Sequence, residues 1–488
     1  MLAALLRLFH LGAQSLWIDE IFTWSSAAPG TFLHLSDLIE NVHGPLYSLV
    51  THAVMAGFGT SEWTLRLTSA LAGIALVPVF AVLADRWLGR DVAIPAAWLA
   101  AASPFLVWYS QEARNYSLLM LCVCAGGALL LDLERRPRPL AAIGYVGVTL
   151  AGLLSNLSFV FVLPLHLYWW LADRARRGRR VAFAIAAVLV MGLALLPWVR
   201  QAGRIWDWHR LHPGRSAPAA EAPLRGGTTF HVAAVPFALH AFAVGYTLGP
   251  SLRELRASPS SETLRRHAPG LAVVAIVFGL LAFQGALALR RRGRLGEALL
   301  WLALPALAVS WFALSNFKVF HPRYLAACFP AFLLWVAAAL ADLRGWRRRL
   351  LVMAVAGLWA ASLAHHYLDP RYGKEDIRGA SRLLAARGQV GEKVVAVNAA
   401  DPLIYYYHGP LVVQSFWLGY VASPENLEIK LDQALAGTPG AWVVLSRPED
   451  LDPAGRFARR LDERFPEAER FRFEGVRVWH IRGGPGGS

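Results

Sequence analysis

Five clusters of arginine, one in every second gap between long apolar blocks, constrain this chain more than any other feature. They are Arg86 with Arg90; Arg135, Arg136 and Arg138; Arg174, Arg176, Arg177, Arg179 and Arg180; Arg290, Arg291, Arg292 and Arg294; and Arg344, Arg347, Arg348 and Arg349. Cytoplasmic loops of multi-pass membrane proteins carry such an excess of positive charge, and loops on the opposite side lack it. The chain is 56% hydrophobic with a mean hydropathy of +0.41, above the roughly 45–50% apolar content of soluble domains. The net charge of +15 therefore belongs to membrane loops. It is spread over short connections rather than gathered on one face, which excludes a nucleic-acid partner.

The blocks predict a mainly α, polytopic transmembrane helical fold of about eleven spans, many of them close to 20 residues and some shorter. They lie near 1–14, 63–84, 92–109, 115–131, 139–154, 157–172, 181–199, 269–289, 297–314, 324–342 and 350–367. With the N-terminus inside, all five arginine clusters fall in the cytoplasm. Loops 15–62, 110–114, 200–268 and 315–323 then fall outside, and so does the C-terminus. The first block is anomalous. From Met1 to Ala13 a helix rises only ~20 Å, less than the ~30 Å hydrocarbon core, and it holds Arg7 and His10. It reads as a cleaved leader ending at Leu11-Gly12-Ala13 or as a membrane helix that starts upstream of Met1. The lack of a basic leader region favours the helix. Cys122, Cys124 and Cys328 lie in apolar runs, which predicts neither a disulfide framework nor a cysteine metal site.

Two parts are expected: a membrane part, 1–367, and an extracytoplasmic soluble α/β domain, 368–488. In the second part, 375–387 and 456–465 pattern as helices and 393–398 and 441–446 as strands. Residues 471–473 and 476–481 form a hairpin across Glu474-Gly475. No catalytic constellation is evident there, so acceptor binding and capping of a site are the roles open to it. In loop 200–268, residues 237–248 read as an interfacial helix.

Chemistry concentrates in the outer loops. Trp17-Ile18-Asp19-Glu20 directly follows the first apolar block. Lipid solvates neither carboxylate, so the pair faces water, protein or a bound molecule. It is either a solvated loop pair or a source of a general base for a hydroxyl. Loop 15–62 is too long for a plain connection. Within it, His43-Gly44-Pro45-Leu46-Tyr47 opens an apolar stretch to Phe58 that suits a helix lying at the interface. His43 and Tyr47 then point toward Asp19 or simply anchor the interface. The next outer turn, Trp108-Tyr109-Ser110-Gln111-Glu112-Ala113-Arg114-Asn115-Tyr116, carries Glu112 and Arg114. These two pair with each other, or Glu112 holds a hydroxyl or a second proton. In Asn316 to Tyr324, Arg323 opens a further span. Its guanidinium matches a phosphate, whether of a ligand or of a lipid headgroup.

Read in order, Trp17-Ile18-Asp19-Glu20, His43-Gly44-Pro45-Leu46-Tyr47, Glu62-Trp63-Thr64-Leu65-Arg66 and Tyr109 to Tyr116 resemble the bacterial branch of the protein-O-mannosyltransferase-like GT-C glycosyltransferases. That group includes the aminoarabinose transferases of lipid A and the galacturonosyl transferases of lipopolysaccharide. The resemblance is densest over 16–131 and thinner at His321-Pro322-Arg323-Tyr324. It implies a GT-C fold and inverting transfer of a sugar from a polyprenyl-phosphate donor to a hydroxyl acceptor of the cell envelope, on the outer face of the cytoplasmic membrane. Membrane lipids are further partners. Asp19 matches the family's catalytic acid, with Glu20 its neighbour, and His43 falls near the donor phosphate. Some relatives carry a further Asp after the second outer turn. Ser117-Leu118-Leu119-Met120 holds none, which leaves Glu112 as the second carboxylate and the need for a divalent metal open. The expected site is therefore Asp19, Glu20 and Glu112 for catalysis, with His43, Tyr47, Arg114, Tyr116, His321, Arg323 and Tyr324 around the donor. Two other classes fit a polytopic chain: a lipid-linked glycan flippase or transporter, and a non-catalytic membrane scaffold. A transporter places its polar groups near the midplane between repeats, whereas these acids gather at outer helix ends. A scaffold does not require an acidic pair beside a phosphate-binding arginine.

Overall fold

The computed structural model describes residues 1–28, 44–171, 177–211, 234–257, 261–315, 320–416, 429, 431–433, 435–452 and 455–482. Among the described residues, six helices are long and apolar enough to cross a membrane: Glu62–Trp87, Tyr116–Arg135, Arg180–Arg200, Ala268–Arg291, Leu295–Leu314 and Gly345–Leu368. A bent pair, Arg90–Ala102 and Pro104–Ser110, meets at 52° and makes a seventh crossing if taken as one. The expected spans at 139–154, 157–172 and 324–342 are shorter apolar helices, Pro139–Ser155, Leu157–Leu171 and Phe329–Asp342. The stretch after Gly44 forms the helix Pro45–Phe58, and the helix expected at 237–248 in loop 200–268 is found as Ala234–Val244. Gly44 has φ +76, and a Cβ there would collide with the Leu154 carbonyl. Only glycine fits both demands.

The expected first span is not continuous. Its helix covers only Leu2–Leu8, Phe9 is extended, and His10 turns into the left-handed region at φ 56. Arg7 explains the stop. Its guanidinium is buried and donates to the carbonyls of Ala100 at 2.8 Å and Ala101 at 2.9 Å. Pro104 has no N–H to offer the Ala100 carbonyl four residues back, so the break in the bent pair frees acceptors. Arg7 satisfies them, and the first segment is pinned against that kink.

The described members of the five arginine clusters gather at one end of the helical bundle. Arg135 donates to the Arg86 carbonyl at 2.5 Å, Arg180 pairs with Glu134 at 3.6 Å, Arg292 with Asp91 at 2.5 Å, and Arg291 with Asp342, next to Leu343-Arg344, at 2.7 Å. Glu297 knots this end together. One oxygen accepts from the indoles of Trp87 at 2.7 Å and Trp169 at 2.6 Å, and the other from Arg294 at 2.7 Å. The Cys122, Cys124 and Cys328 thiols are free and buried.

At the opposite end stands a small α/β unit. Its strands are β1 (Lys393–Val397), β2 (Val412–Phe416), β3 (Gly440–Ser446), β4 (Glu469–Phe473) and β5 (Val476–Arg482), in the order β2-β1-β3-β5-β4. β1 pairs in parallel with β2 and β3, while β5 runs antiparallel to β3 and β4. The β4–β5 hairpin turns at Glu474-Gly475, with Gly475 at φ +63, as its sequence predicts. The helices Ile377–Arg387 and Arg456–Arg464 cover the sheet's two faces through separate apolar clusters. β2 and the helix Ala400–Tyr406 were not anticipated.

Replacing Glu297 with Leu strands two indole N–H groups and one guanidinium. Each lost partner costs about 1–3 kcal/mol. A clear fall in the thermal midpoint of detergent-purified Glu297→Leu is expected, and an unchanged midpoint would show that the knot carries no stability.

Candidate active site

The helix Ile18–Ala27 begins at Trp17, whose backbone is extended. Asp19 and Glu20 occupy its first turn, where exposed N–H groups favour negative charge. Adjacent residues on a helix point about 100° apart, so the two carboxylates face different surroundings.

Glu20 turns inward and is completely buried. Arg66, one turn into the Glu62–Trp87 helix, grips it with two bonds of 2.8 Å. Lys374 adds an ion pair of 2.9 Å, and the backbone N–H of Ala113 donates at 2.8 Å. Burial alone raises a carboxyl's pKa. Here the charges of Arg66 and Lys374, with the hydrogen bonds from Arg66 and Ala113, outweigh it and bring Glu20 down to about 2. The remaining Arg66 N–H groups hold the carbonyls of Leu11, Gln14 and Ser15. Every lone pair of Glu20 facing these donors is thus engaged, and no surface of it is open to a reactant.

Asp19 turns outward. Its Oδ2 accepts from Arg323 Nη1 at 2.6 Å, and both side chains keep about a fifth of their surface, 20% and 21%. Arg323 sits in a short 3-10 turn, Pro322–Leu325, ahead of the helix Phe329–Asp342. It therefore precedes the helix instead of opening it, because His321 caps the turn by accepting the Arg323 N–H at 3.2 Å. The Arg323 guanidinium also donates to the Tyr324 hydroxyl at 3.2 Å and lies over the rings of Tyr324 at 5.1 Å and Trp17 at 5.6 Å.

The turn between Ser110 and Tyr116 closes the site. Arg114 donates to the Asp19 carbonyl at 3.2 Å. Glu112 is buried and accepts from the Trp108 indole at 3.1 Å. Burial raises its proton affinity, against the pull of Lys374 and Arg323. Among the described residues, Glu112 and Arg114 form no ion pair; of the two arrangements left open by the sequence, mutual pairing is not the one seen, and each turns to a different partner. Asn115 fastens the turn to the next connection by donating to the Ser155 carbonyl at 2.5 Å. Tyr47 is one layer back. Its hydroxyl meets Ser69 Oγ at 2.7 Å, and Ser69 reaches the Arg114 carbonyl at 2.8 Å. Tyr116 is buried against Tyr109, ring to ring at 5.0 Å, within the field of Arg323 and Arg114. His43 lies outside the described residues.

Among the described residues, four buried polar atoms around Asp19 have no hydrogen-bond partner: Trp17 Nε1, Arg114 Nε, Arg323 Nε and Glu112 Oε1. Buried polar groups are nearly always paired, and three donors with one acceptor in one place suit a ligand bearing both anionic and hydroxyl groups. Among the described residues, no three His, Cys, Asp or Glu side chains group to hold a metal ion.

The resemblance read from the motifs has independent support. The model of the dolichyl-phosphate-mannose-protein mannosyltransferase family matches residues 42–199. The fold is similar to that of ArnT from Cupriavidus metallidurans. The structure bound to undecaprenyl phosphate matches with a TM-score of 0.58 and 17% identity, over 98% of this chain and 96% of that one. The apo form matches with a TM-score of 0.54. The oligosaccharyltransferase of Archaeoglobus fulgidus matches with a TM-score of 0.54 and 12% identity, over 92% of this chain and 68% of that one. The chain shares its fold with these proteins, and its residues 42–199 are similar to that family. No curated protein matches its sequence closely.

Sequence reasoning assigned no role to Arg66, Lys374, Trp17 or Trp108. Arg66 had a readable signal: an arginine near the end of a membrane helix needs a buried partner. Lys374 had none, because its contact with Glu20 spans 354 positions.

The Glu20 pairing predicts an acid signature. Its folded pKa lies below the ordinary carboxyl value, so its stabilisation is present above about 4.5 and is lost as pH falls toward 2. Glu20→Gln should lower the midpoint at neutral pH by about 3–5 kcal/mol equivalent, the cost of breaking a buried pair. The difference from the unmodified protein should shrink across that acid window. A pH-independent difference would contradict the pairing.

Proposed function

We propose that this protein moves a sugar from a polyprenyl-phosphate donor to a hydroxyl acceptor of the cell envelope, with inversion, using Asp19 as general base. The supporting observation is the Arg323–Asp19 pair at 2.6 Å, set among buried polar atoms that find no partner among the described residues. As the acceptor oxygen attacks the anomeric carbon, its proton passes to the Asp19 carboxylate. The leaving phosphate gathers charge, which the guanidinium of Arg323 meets with bidentate geometry. Arg114 and Tyr324 flank that phosphate position, Tyr116 walls it, and Glu112 accepts a sugar hydroxyl. Glu20, His321 and Tyr47 hold the frame: Glu20 through Arg66, His321 as the cap of the Arg323 turn, and Tyr47 through Ser69. The lipid tail stays among the helices, so a centre at the bundle's end suits a lipid-linked donor. That ArnT structure contains undecaprenyl phosphate, which supports the same donor class here.

Asp19→Asn keeps the shape but accepts a proton poorly. Sugar transfer in reconstituted membranes should fall by ~10²–10⁴-fold while the protein stays folded and binds undecaprenyl phosphate. Near-normal transfer by folded Asp19→Asn would remove Asp19 as the base. In Arg323→Leu, binding of undecaprenyl phosphate should weaken by about 2–5 kcal/mol, as for truncation of a buried charged partner; unchanged affinity would exclude the phosphate role.

The reading also places the site and the α/β unit outside the cytoplasmic membrane. Val390 is 84% exposed on that unit. A cysteine at 390 should react with an impermeant maleimide in intact cells, and one at the exposed Arg136 only after lysis. The reverse pattern would invert the topology and rule out an external centre.

A further inference from the structure

A polar cavity of about 40 Å³ adjoins the Glu20 pairing. It is set where the turn after the first segment, the outer turn and the end of the Gly345–Leu368 helix meet. His10, Gln14, Arg66, Gln111, His366 and Lys374 give it its polar lining, and its described lining residues include no carboxylate. Asp19 and Arg323 do not border it. A water centre needs about 10–15 Å³ of such space, so a group of several heavy atoms fits.

His366 decides what the cavity can hold. Gln111 Nε2 donates to the carbonyls of Leu6 and Arg7 at 3.2 Å and of Phe9 at 2.6 Å. The amide oxygen is therefore the atom that meets His366 Nε2 at 2.8 Å. An oxygen of this kind only accepts, so Nε2 bears the hydrogen. In the neutral ring Nδ1 then holds a lone pair, and among the described residues this buried atom has no partner. A buried acceptor without a donor is rare and costly. Positive charge lines the same space. Arg66 spends its N–H groups on Glu20 and on the carbonyls of Leu11, Gln14 and Ser15, so it offers only its field. Lys374 has three N–H groups, and Glu20 takes one at 2.9 Å.

The geometry points to a second anion site: this cavity takes a phosphate group that carries one proton, with its O–H donating to His366 Nδ1 and a charged oxygen accepting from Lys374. Chloride or an ionised carboxylate brings no hydrogen to a neutral imidazole, and water brings no charge to the cations. A phosphate monoester, with its second ionisation at about pH 6, supplies both. When it arrives as a dianion, one proton is taken up and shared between its oxygen and Nδ1. The groups facing His366 come from each neighbouring element: His10 on the first turn, Arg66 on the Glu62–Trp87 helix, Gln111 on the outer turn, and Lys374 with its partner Glu20. Glu112 stands one ring further off, bonded to the Trp108 indole that lies 5.3 Å from the His366 ring. Exposed Phe9 and Leu368 flank the lining residues His10 and Tyr367. The cavity thus opens beside apolar surface, where a lipid headgroup and free phosphate both have access. The site does not depend on the transfer proposed above.

The test uses the full-length protein in neutral detergent, with Arg323→Leu as background so that the Asp19 centre does not contribute. Calorimetric titrations with inorganic phosphate and with dihexanoyl phosphatidic acid are run at about pH 8, where a phosphate monoester is mostly dianionic. Buffers of different ionisation heat report the protons taken up. One phosphate should bind per chain with uptake of about one proton. His366→Phe keeps a ring without nitrogen. It should weaken binding by about tenfold or more, the usual effect of losing a hydrogen bond to a charged group, and proton uptake should fall with it. If that variant does not fold, His366→Asn gives the same readout. Binding of the phosphatidic acid alone assigns the site to a lipid headgroup, and binding of inorganic phosphate alone assigns it to free phosphate; either supports the proposal. Absence of binding by both overturns it, as does a folded His366 variant with unchanged affinity and proton uptake. Neither result bears on whether Asp19 is a base.

Discussion

The buried pair between Glu20 and Arg66 is the contact on which the rest of the site depends. Two charges out of water are costly, and they persist only when geometry and further hydrogen bonds compensate. Here the compensation is complete. Glu20 draws in the helix that carries Asp19, the outer turn through Ala113, and the C-terminal unit through Lys374. Arg66 binds the carbonyls of the turn that follows the first segment. Four stretches distant in sequence meet at one carboxylate. That carboxylate is fully committed inside, while its neighbour on the helix faces outward and keeps part of its surface open.

The acidic pair thus divides labour by direction. Helix geometry separates the two side chains, and surroundings do the rest. Glu20 meets fixed cations and is sealed. The Asp19 carboxylate pairs with the Arg323 guanidinium and stays partly open. Arg323 in turn has an unpaired Nε and leans on two aromatic rings. Such an arginine is held in position without being saturated, so it can accept an anionic group while keeping its place. The proposed chemistry needs this asymmetry: a firm support beneath a base and a cation that still have bonds to make.

Much of the architecture was legible because membranes write strong signals. The arginine clusters predicted loops on one side, and they do meet at one end of the bundle. Apolar blocks located the long helices, and Gly44-Pro45 located a helix start. The first segment was misread because a single arginine at position 7 outweighed seven apolar neighbours. Its partners, the carbonyls freed by Pro104 about a hundred residues away, leave no local trace. Asp19, Glu112, Arg114 and Arg323 were readable as polar groups at helix ends, and the structure brings them together. The roles of Glu20 and His321 were not, since adjacency to Asp19 and Arg323 says nothing about which way a side chain turns. β2 and the helix before it were missed because Tyr405-Tyr406-Tyr407 and Val412-Val413 lack clean periodicity.

The position of the centre follows from the same physics. A lipid-linked donor presents its phosphate at the membrane boundary, and a hydroxyl acceptor arrives from water. A base and a phosphate-binding cation must therefore stand where helices end, yet remain rigid. Helix ends are where backbone order is weakest. This chain compensates with side chains that tie the helix ends together: Arg66 and Asn115 within the helical part, and Lys374 and Tyr406 from the C-terminal part. The α/β unit is then more than an appendage. Its attachment supplies Lys374, one of the charges that balance Glu20 at the heart of the site.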